Sequence, residues 1–168
     1  MVKPVRVYWD SCAWLGLLNG EVDKKRELEI VYGHSKLARY ELWTSTLSVV
    51  EVRRVQGEIL KDRPWSDANT KTLEALFRQP FIKMIPLAVD VAESARRIFR
   101  ENADMGKWQD AVQLASALRW DAAVMHTYDY DDLIRFDMKF TCRSGGKLPI
   151  CYPDESTDGP LFSQAPRP

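Results

Sequence analysis

Cysteine is scarce and unpatterned. Cys12, Cys142 and Cys151 are the three in the chain, an odd number without C-x-x-C spacing, which argues against a disulfide framework and against a tetrahedral zinc site. Histidine is scarcer still: His34 and His126 stand far apart, each reads as a structural histidine, and no Ser–His–Asp assignment is warranted. Neither sign of charge is in excess, since 24 Lys and Arg balance 24 Asp and Glu. No global basic field can therefore bind nucleic acid indiscriminately, and any such contact has to be local. Apolar runs stay well short of transmembrane length, and the start of the chain, charged at Lys3 and Arg6, lacks the apolar stretch and cleavage site of a secretory signal. The expectation is a soluble cytoplasmic protein with free thiols. A Walker A sequence is missing, as is the D-x-D that a phosphatase-type phosphoryl-transfer domain carries after its first strand.

What is present is enough apolar material for one core: 168 residues, 45% hydrophobic and 11% aromatic. Residues 1–153 are expected to form one domain, and residues 154–168, rich in Pro, Ser, Asp and Gly, a disordered tail. Five short runs read as strands: Val5–Trp9, Glu41–Ser45, Phe81–Leu87, Ala122–Thr127 and Leu148–Tyr152. Between them lie helical patterns. The first begins at Ser11, with Asp10 or Ser11 as its cap, and ends at Gly20. A charge-rich stretch from Glu21 to Leu37 follows, then a helix in which Leu47, Val50, Val55 and Ile59 keep the period and Glu51 sits near the start. Thr70 to Phe77 is helical. Asp90 and Glu93 make a D-x-x-E capping signature ahead of Val91, Ala95, Ile98 and Phe99. The last helix runs from Trp108 to Leu118 with Asp110 in its first turn, where the helix dipole favours a carboxylate. Strands alternating with helices imply βα units in a three-layer α/β/α sandwich around a mostly parallel sheet. Right-handed crossovers then open the loops after successive strands on one edge of the sheet.

Four acids fall at those edges. Asp10 follows the first strand, Glu51 lies in the helix after the second, Asp110 opens the last helix, and Asp129 follows the fourth strand. Singly, each has an ordinary reading as a helix cap, a solvated helix acid or a turn former. Jointly, they can converge in the crevice beyond the strand ends, where ligands of open parallel sheets bind. Carboxylates so gathered repel one another unless a cation neutralises them, and hard divalent ions prefer such oxygen ligands.

Three segments carry a family likeness: Val7-Tyr8-Trp9-Asp10-Ser11; Thr44-Ser45-Thr46-Leu47-Ser48-Val49-Val50-Glu51-Val52; and Asp110-Ala111-Val112-Gln113-Leu114-Ala115-Ser116-Ala117-Leu118 leading into His126-Thr127-Tyr128-Asp129. In order and context they resemble the PIN domain, especially the single-domain ribonucleases that act as toxins of VapBC-type toxin–antitoxin pairs. The resemblance spans roughly residues 5–153 and departs from the family at Gln113, where His is frequent. It implies a PIN-like fold and a metal-dependent endoribonuclease in which Asp10, Glu51, Asp110 and Asp129 hold Mg²⁺ or Mn²⁺, with Asp132 able to replace or assist Asp129. RNA is then the substrate, a cognate antitoxin the partner and a homodimer the assembly. Ser11, Ser45 and Thr127 are expected to support the carboxylates by hydrogen bonds, and Arg53 and Lys107 to meet RNA. Trp9, Trp14, Trp43 and Trp108 are expected in the core, whereas Trp65 is placed for an exposed contact. The competing reading is a non-catalytic RNA- or protein-binding module on the same fold.

Overall fold

The computed structural model describes residues 4–55, 58 and 66–153. The helical continuation to Ile59, the exposed contact of Trp65 and the tail 154–168 are expectations that lie outside the described residues. Five strands form one sheet: β1 (Val5–Trp9), β2 (Tyr40–Ser45), β3 (Ile82–Ile85), β4 (Val124–His126) and β5 (Ile150–Cys151), in the order β3-β2-β1-β4-β5. All four neighbouring pairs are parallel. The helices are α1 (Ser11–Asn19), α2 (Lys25–Lys36), α3 (Thr46–Glu51), α4 (Asp67–Phe77), α5 (Val89–Glu101) and α6 (Trp108–Arg119).

The sheet separates two cores because successive strand residues point to opposite faces. From β1, Val7 and Trp9 join Ala13, Trp14, Leu28 and Val31 on the side of α1 and α2. Tyr8 between them joins Val91, Ile98, Leu114 and Ala115 on the side of α5 and α6. β4 repeats the division, with Val124 on the first side and Met125 on the second. This is the three-layer arrangement expected from the alternation of elements, with every ladder parallel.

Strand order positions the crevice. From β1 the chain moves outward to β2 and β3, then returns across the other face through α5 and α6 to place β4 against the free side of β1. The order reverses between β1 and β4, and ligands of such sheets bind outside the carboxyl ends of the strands at that switch point. Asp10 follows directly on β1 and Thr127 directly on β4, and Trp9 and His126, the preceding residues, are register partners.

Local chemistry decides the helix ends. Asp10, not Ser11, caps α1: its side chain accepts from the Ala13 N–H at 3.0 Å. Gly20 closes α1 at φ 60°, a left-handed conformation that favours glycine. Three expectations need correction. α3 stops at Glu51 after six residues, so Glu51 ends a short helix instead of beginning a long one. At α5 the capping residue is Ala88 and makes no side-chain cap, because the Asp90 carboxylate turns to the Arg119 guanidinium (2.7 Å) and to the Val91 N–H (2.9 Å). Trp108 is half exposed on the first turn of α6, whereas Trp9 and Trp14 are fully buried and Trp43 packs partly buried against the core.

Candidate active site

Each acid reaches the crevice by a different element. Asp10 is delivered by the end of β1 and is 2% exposed; one carboxylate oxygen is used in capping α1, and the other accepts a hydrogen bond from the Thr127 hydroxyl at 2.5 Å. Thr127 also accepts from the Asp129 N–H at 2.9 Å, so one hydroxyl ties the β1 acid to the turn after β4. In that turn the Asp129 carboxylate accepts from the Asp132 N–H at 2.9 Å. Asp132 in turn accepts from the Gly106 N–H at 3.1 Å, joining the turn to the loop that leads into α6. A Cβ on Gly106 would lie 3.0 Å from the Asp132 carboxylate, so any larger residue there would require that carboxylate to give way. Asp110, in the first turn of α6, has a buried Oδ2 with no hydrogen-bond partner among the described residues.

Carboxylate oxygens of Asp110, Asp129 and Asp132 lie within 4.8 Å of one another. Asp132 therefore stands beside Asp129 in one cluster. Asp10 and Glu51 are coupled to this cluster through space. Burial first, and then repulsion from Glu51 and Asp129, push the Asp10 carboxyl up to about 7 against the hydrogen bonds from Thr127 and Ala13. Asp110 rises to about 7 for the same leading reason, with Asp129, Asp132 and Asp10 adding repulsion and Lys107 opposing it. The Cys12 thiol on α1 records the whole convergence: burial raises its pKa most, and Asp10, Asp129, Asp110 and Glu51 each raise it further. The four acids come from four separate stretches of chain, and the charge of each bears on this thiol. That thiol stays protonated and poorly nucleophilic.

The Lys107 ammonium sits 3.4 Å from Asp129 and 3.2 Å from Asp132, so it serves as counter-ion to the acids. Its pKa is raised, chiefly by the Asp132 hydrogen bond and against partial desolvation. Burial would raise Asp132, but the Gly106 N–H and Lys107 hold it below the ordinary carboxylate value. Ser45 spends its hydroxyl on capping α3, accepting from the Leu47 N–H at 3.2 Å, and Ser11 opens α1 half-buried. Thr127 is the one of the three expected supports that bonds an acid directly. Arg53 is exposed two residues beyond Glu51, on the rim of a groove of about 340 Å³ whose floor includes Val52, Leu73 and Phe77.

Sequence reasoning missed the part played by Tyr8 and Ser48. Gln113, the position that departs from the family pattern, contacts Glu51 directly: its amide nitrogen donates to Glu51 Oε2 at 2.6 Å and lies 3.1 Å from Ser48 Oγ, while its oxygen accepts from the Tyr8 hydroxyl at 2.5 Å. One signal was available, because a glutamine three residues after Asp110 sits inside an otherwise small and apolar stretch of α6.

The PIN-domain family model matches residues 7–138, a span holding all four acids and Asp132. The chain belongs to the PIN-domain family. Solved structures with a similar fold include the VapC20 toxin of Mycobacterium tuberculosis, which cleaves the sarcin–ricin loop, at 16% identity and a TM-score of 0.56 over 74% of this chain and 91% of that one. A toxin–antitoxin complex from Klebsiella pneumoniae matches at 19% identity and a TM-score of 0.51, over 75% of this chain and 88% of that one. VapBC2 of Rickettsia felis, solved bound to a fragment of its promoter DNA, matches at 12% identity and a TM-score of 0.59, over 89% of this chain and 100% of that one. At these identities the likeness establishes the PIN fold. Comparison with curated proteins gave no match. No helix among the described residues is long and apolar enough to cross a membrane.

Proposed function

We propose that this PIN domain is a metal-dependent endoribonuclease, acting in the cytoplasm as the toxin of a toxin–antitoxin pair. The observation that carries the reading is the clustering of Asp110, Asp129 and Asp132 within 4.8 Å, tied through Thr127 to Asp10 at the β1/β4 switch point, with a buried Asp110 oxygen lacking any partner among the described residues. An orphaned buried carboxylate oxygen is costly unless a cation meets it. The all-oxygen donor set suits Mg²⁺ or Mn²⁺ better than zinc or copper. Asp10, Glu51, Asp110 and Asp129 are the residues that would hold the ion, assisted by Asp132, whose carboxylate oxygen lies within 4.8 Å of those of Asp110 and Asp129. When bound, such an ion supplies an activated water near neutral pH and charge neutralisation at the phosphate.

The chain's own groups prepare this chemistry. Thr127 fixes the orientation of Asp10 and of the Asp129 turn together. The Gly106 N–H helps hold Asp132 ionised, and Lys107 is the counter-ion that a bound cation would displace. No side-chain nucleophile is required. With zero net charge, RNA has to be gripped locally, and the exposed Arg53 beside Glu51 is the proposed contact. Single-stranded or looped RNA is the expected substrate, because exposed bases allow recognition by protein side chains. The solved relatives include a sarcin–ricin-loop-cleaving toxin and a toxin–antitoxin complex, which supports an antitoxin partner here; a homodimer is the proposed assembly.

The test is cleavage of structured RNA by the purified chain in Mn²⁺ and in EDTA, with mapping of the product ends. Fragments bearing 5′-phosphate and 3′-hydroxyl ends, formed only with the ion, are expected. RNA that is bound but left intact in Mn²⁺ would favour a non-catalytic binding module instead.

A further inference from the structure

Glu51 occupies an awkward place. It is the last residue of a six-residue helix, at the C-terminal end where negative charge is disfavoured. Its orientation is therefore not secured by α3 alone. The group that meets it comes from the neighbouring α6: Gln113, 1% exposed, donates its amide nitrogen to Glu51 Oε2 at 2.6 Å. The direction of the amide is dictated by chemistry. A carboxylate only accepts, so the NH₂ group faces Glu51, and a flipped amide would set two acceptor oxygens against each other. Tyr8, fully buried on β1, reinforces that choice by donating its hydroxyl to Gln113 Oε1 at 2.5 Å.

The contact continues inward. Gln113 Nε2 lies 3.1 Å from Ser48 Oγ, Ser48 Oγ lies 2.8 Å from Thr44 Oγ1, and Thr44 accepts from the Trp14 indole N–H at 3.0 Å. A buried polar string thus connects β1, β2, α1, α3 and α6, and it reaches Glu51. A network in which every member is satisfied rigidifies the groups it joins.

We propose that Gln113 is a positioning residue that holds the Glu51 carboxylate toward the acid cluster through its side-chain amide, with Tyr8 fixing the direction of that amide. The inference rests on reading the acids as a divalent-ion site. Gln113 acts through Glu51 and does not itself meet ion or RNA.

Calorimetric titration of the metal-free chain with Mn²⁺ tests it, using Q113L, Q113H, Y8F, E51Q and the double variants E51Q/Q113L and E51Q/Y8F, each checked for folding by circular dichroism. Loss of a group that orients a ligand weakens binding by about 10- to 100-fold, which is the expectation for Q113L. Q113H is expected to stay within a few-fold of the natural chain, because imidazole also donates from one nitrogen and accepts at the other. Y8F is expected to show a smaller loss than Q113L. In the E51Q background, Q113L should cause no further loss, since its effect passes through Glu51. If Q113L fails to fold, a Y8F loss that vanishes in E51Q/Y8F supports the proposal, and unchanged binding in Y8F overturns it. Natural-chain affinity in folded Q113L, or an undiminished Q113L loss in the E51Q background, also overturns it. A natural chain that binds no Mn²⁺ fails at the earlier step, overturning the metal-site reading on which this one stands.

Discussion

Thr127 shows how much a single hydroxyl can organise. It donates to Asp10 and accepts from the Asp129 backbone, and its own side chain is fully buried. Replacing it by valine keeps the shape but leaves a buried carboxylate oxygen without its donor, a change that costs about 1–3 kcal/mol. Urea unfolding of T127V in EDTA should show that loss. Lys107 has the opposite character: its ammonium lies between Asp129 and Asp132 and competes with any cation for their oxygens. K107M is therefore expected to bind Mn²⁺ more tightly than the natural chain in a calorimetric titration, and weaker binding would show that Lys107 supports the site instead of screening it.

The elements place these residues by a few local rules. α1 begins because Asp10 caps it and ends because Gly20 turns left-handed, so the residue that starts the helix is also an acid of the site. G20A forces a side chain into the φ 60° conformation and should lower stability by about 1 kcal/mol, measured by thermal unfolding. The strands were legible because β-branched and aromatic runs alternate faces, as in Val7-Tyr8-Trp9. Asp10, Asp110 and Asp129 were legible because strand ends and a helix first turn can be located from pattern alone. The course of α3 was not: Val55 keeps the apolar period after Glu51, yet the chain leaves the helix at Val52, and that position is settled by packing. The capping signature at Asp90 failed for a related reason, since Arg119 on α6 offers its carboxylate a stronger, charge-assisted partner that no local pattern shows. Asp132 entered the cluster through Gly106, a contact between segments 26 positions apart in the chain.

At the scale of the whole molecule, the sheet brings the acids together at a cost to the metal-free fold. Burial and mutual repulsion raise Asp10 and Asp110 to about 7, against roughly 4 in an unfolded chain. Between those values the folded chain binds more protons than the unfolded one, so stability in EDTA falls as pH rises through that window and levels off above it. Asp90 and Asp132 are held low, so their contribution is lost only below the ordinary carboxylate range. The melting temperature in EDTA should therefore be higher near pH 5 than near pH 8, and Mn²⁺ should raise it most at the higher pH, where protons no longer compete for the acids. Differential scanning fluorimetry across that range checks both parts.

The central claim is that acids from separate elements make one metal-dependent RNA-cleaving site. Its most direct measurement is RNA cleavage in saturating Mn²⁺ by the natural chain, D10N and D110N, both isosteric changes at buried carboxylates. The account predicts cleavage by the natural chain and a loss of at least about 100-fold in each variant, as expected when groups that hold a catalytic ion are removed. Retained metal-dependent cleavage in both folded variants would contradict it.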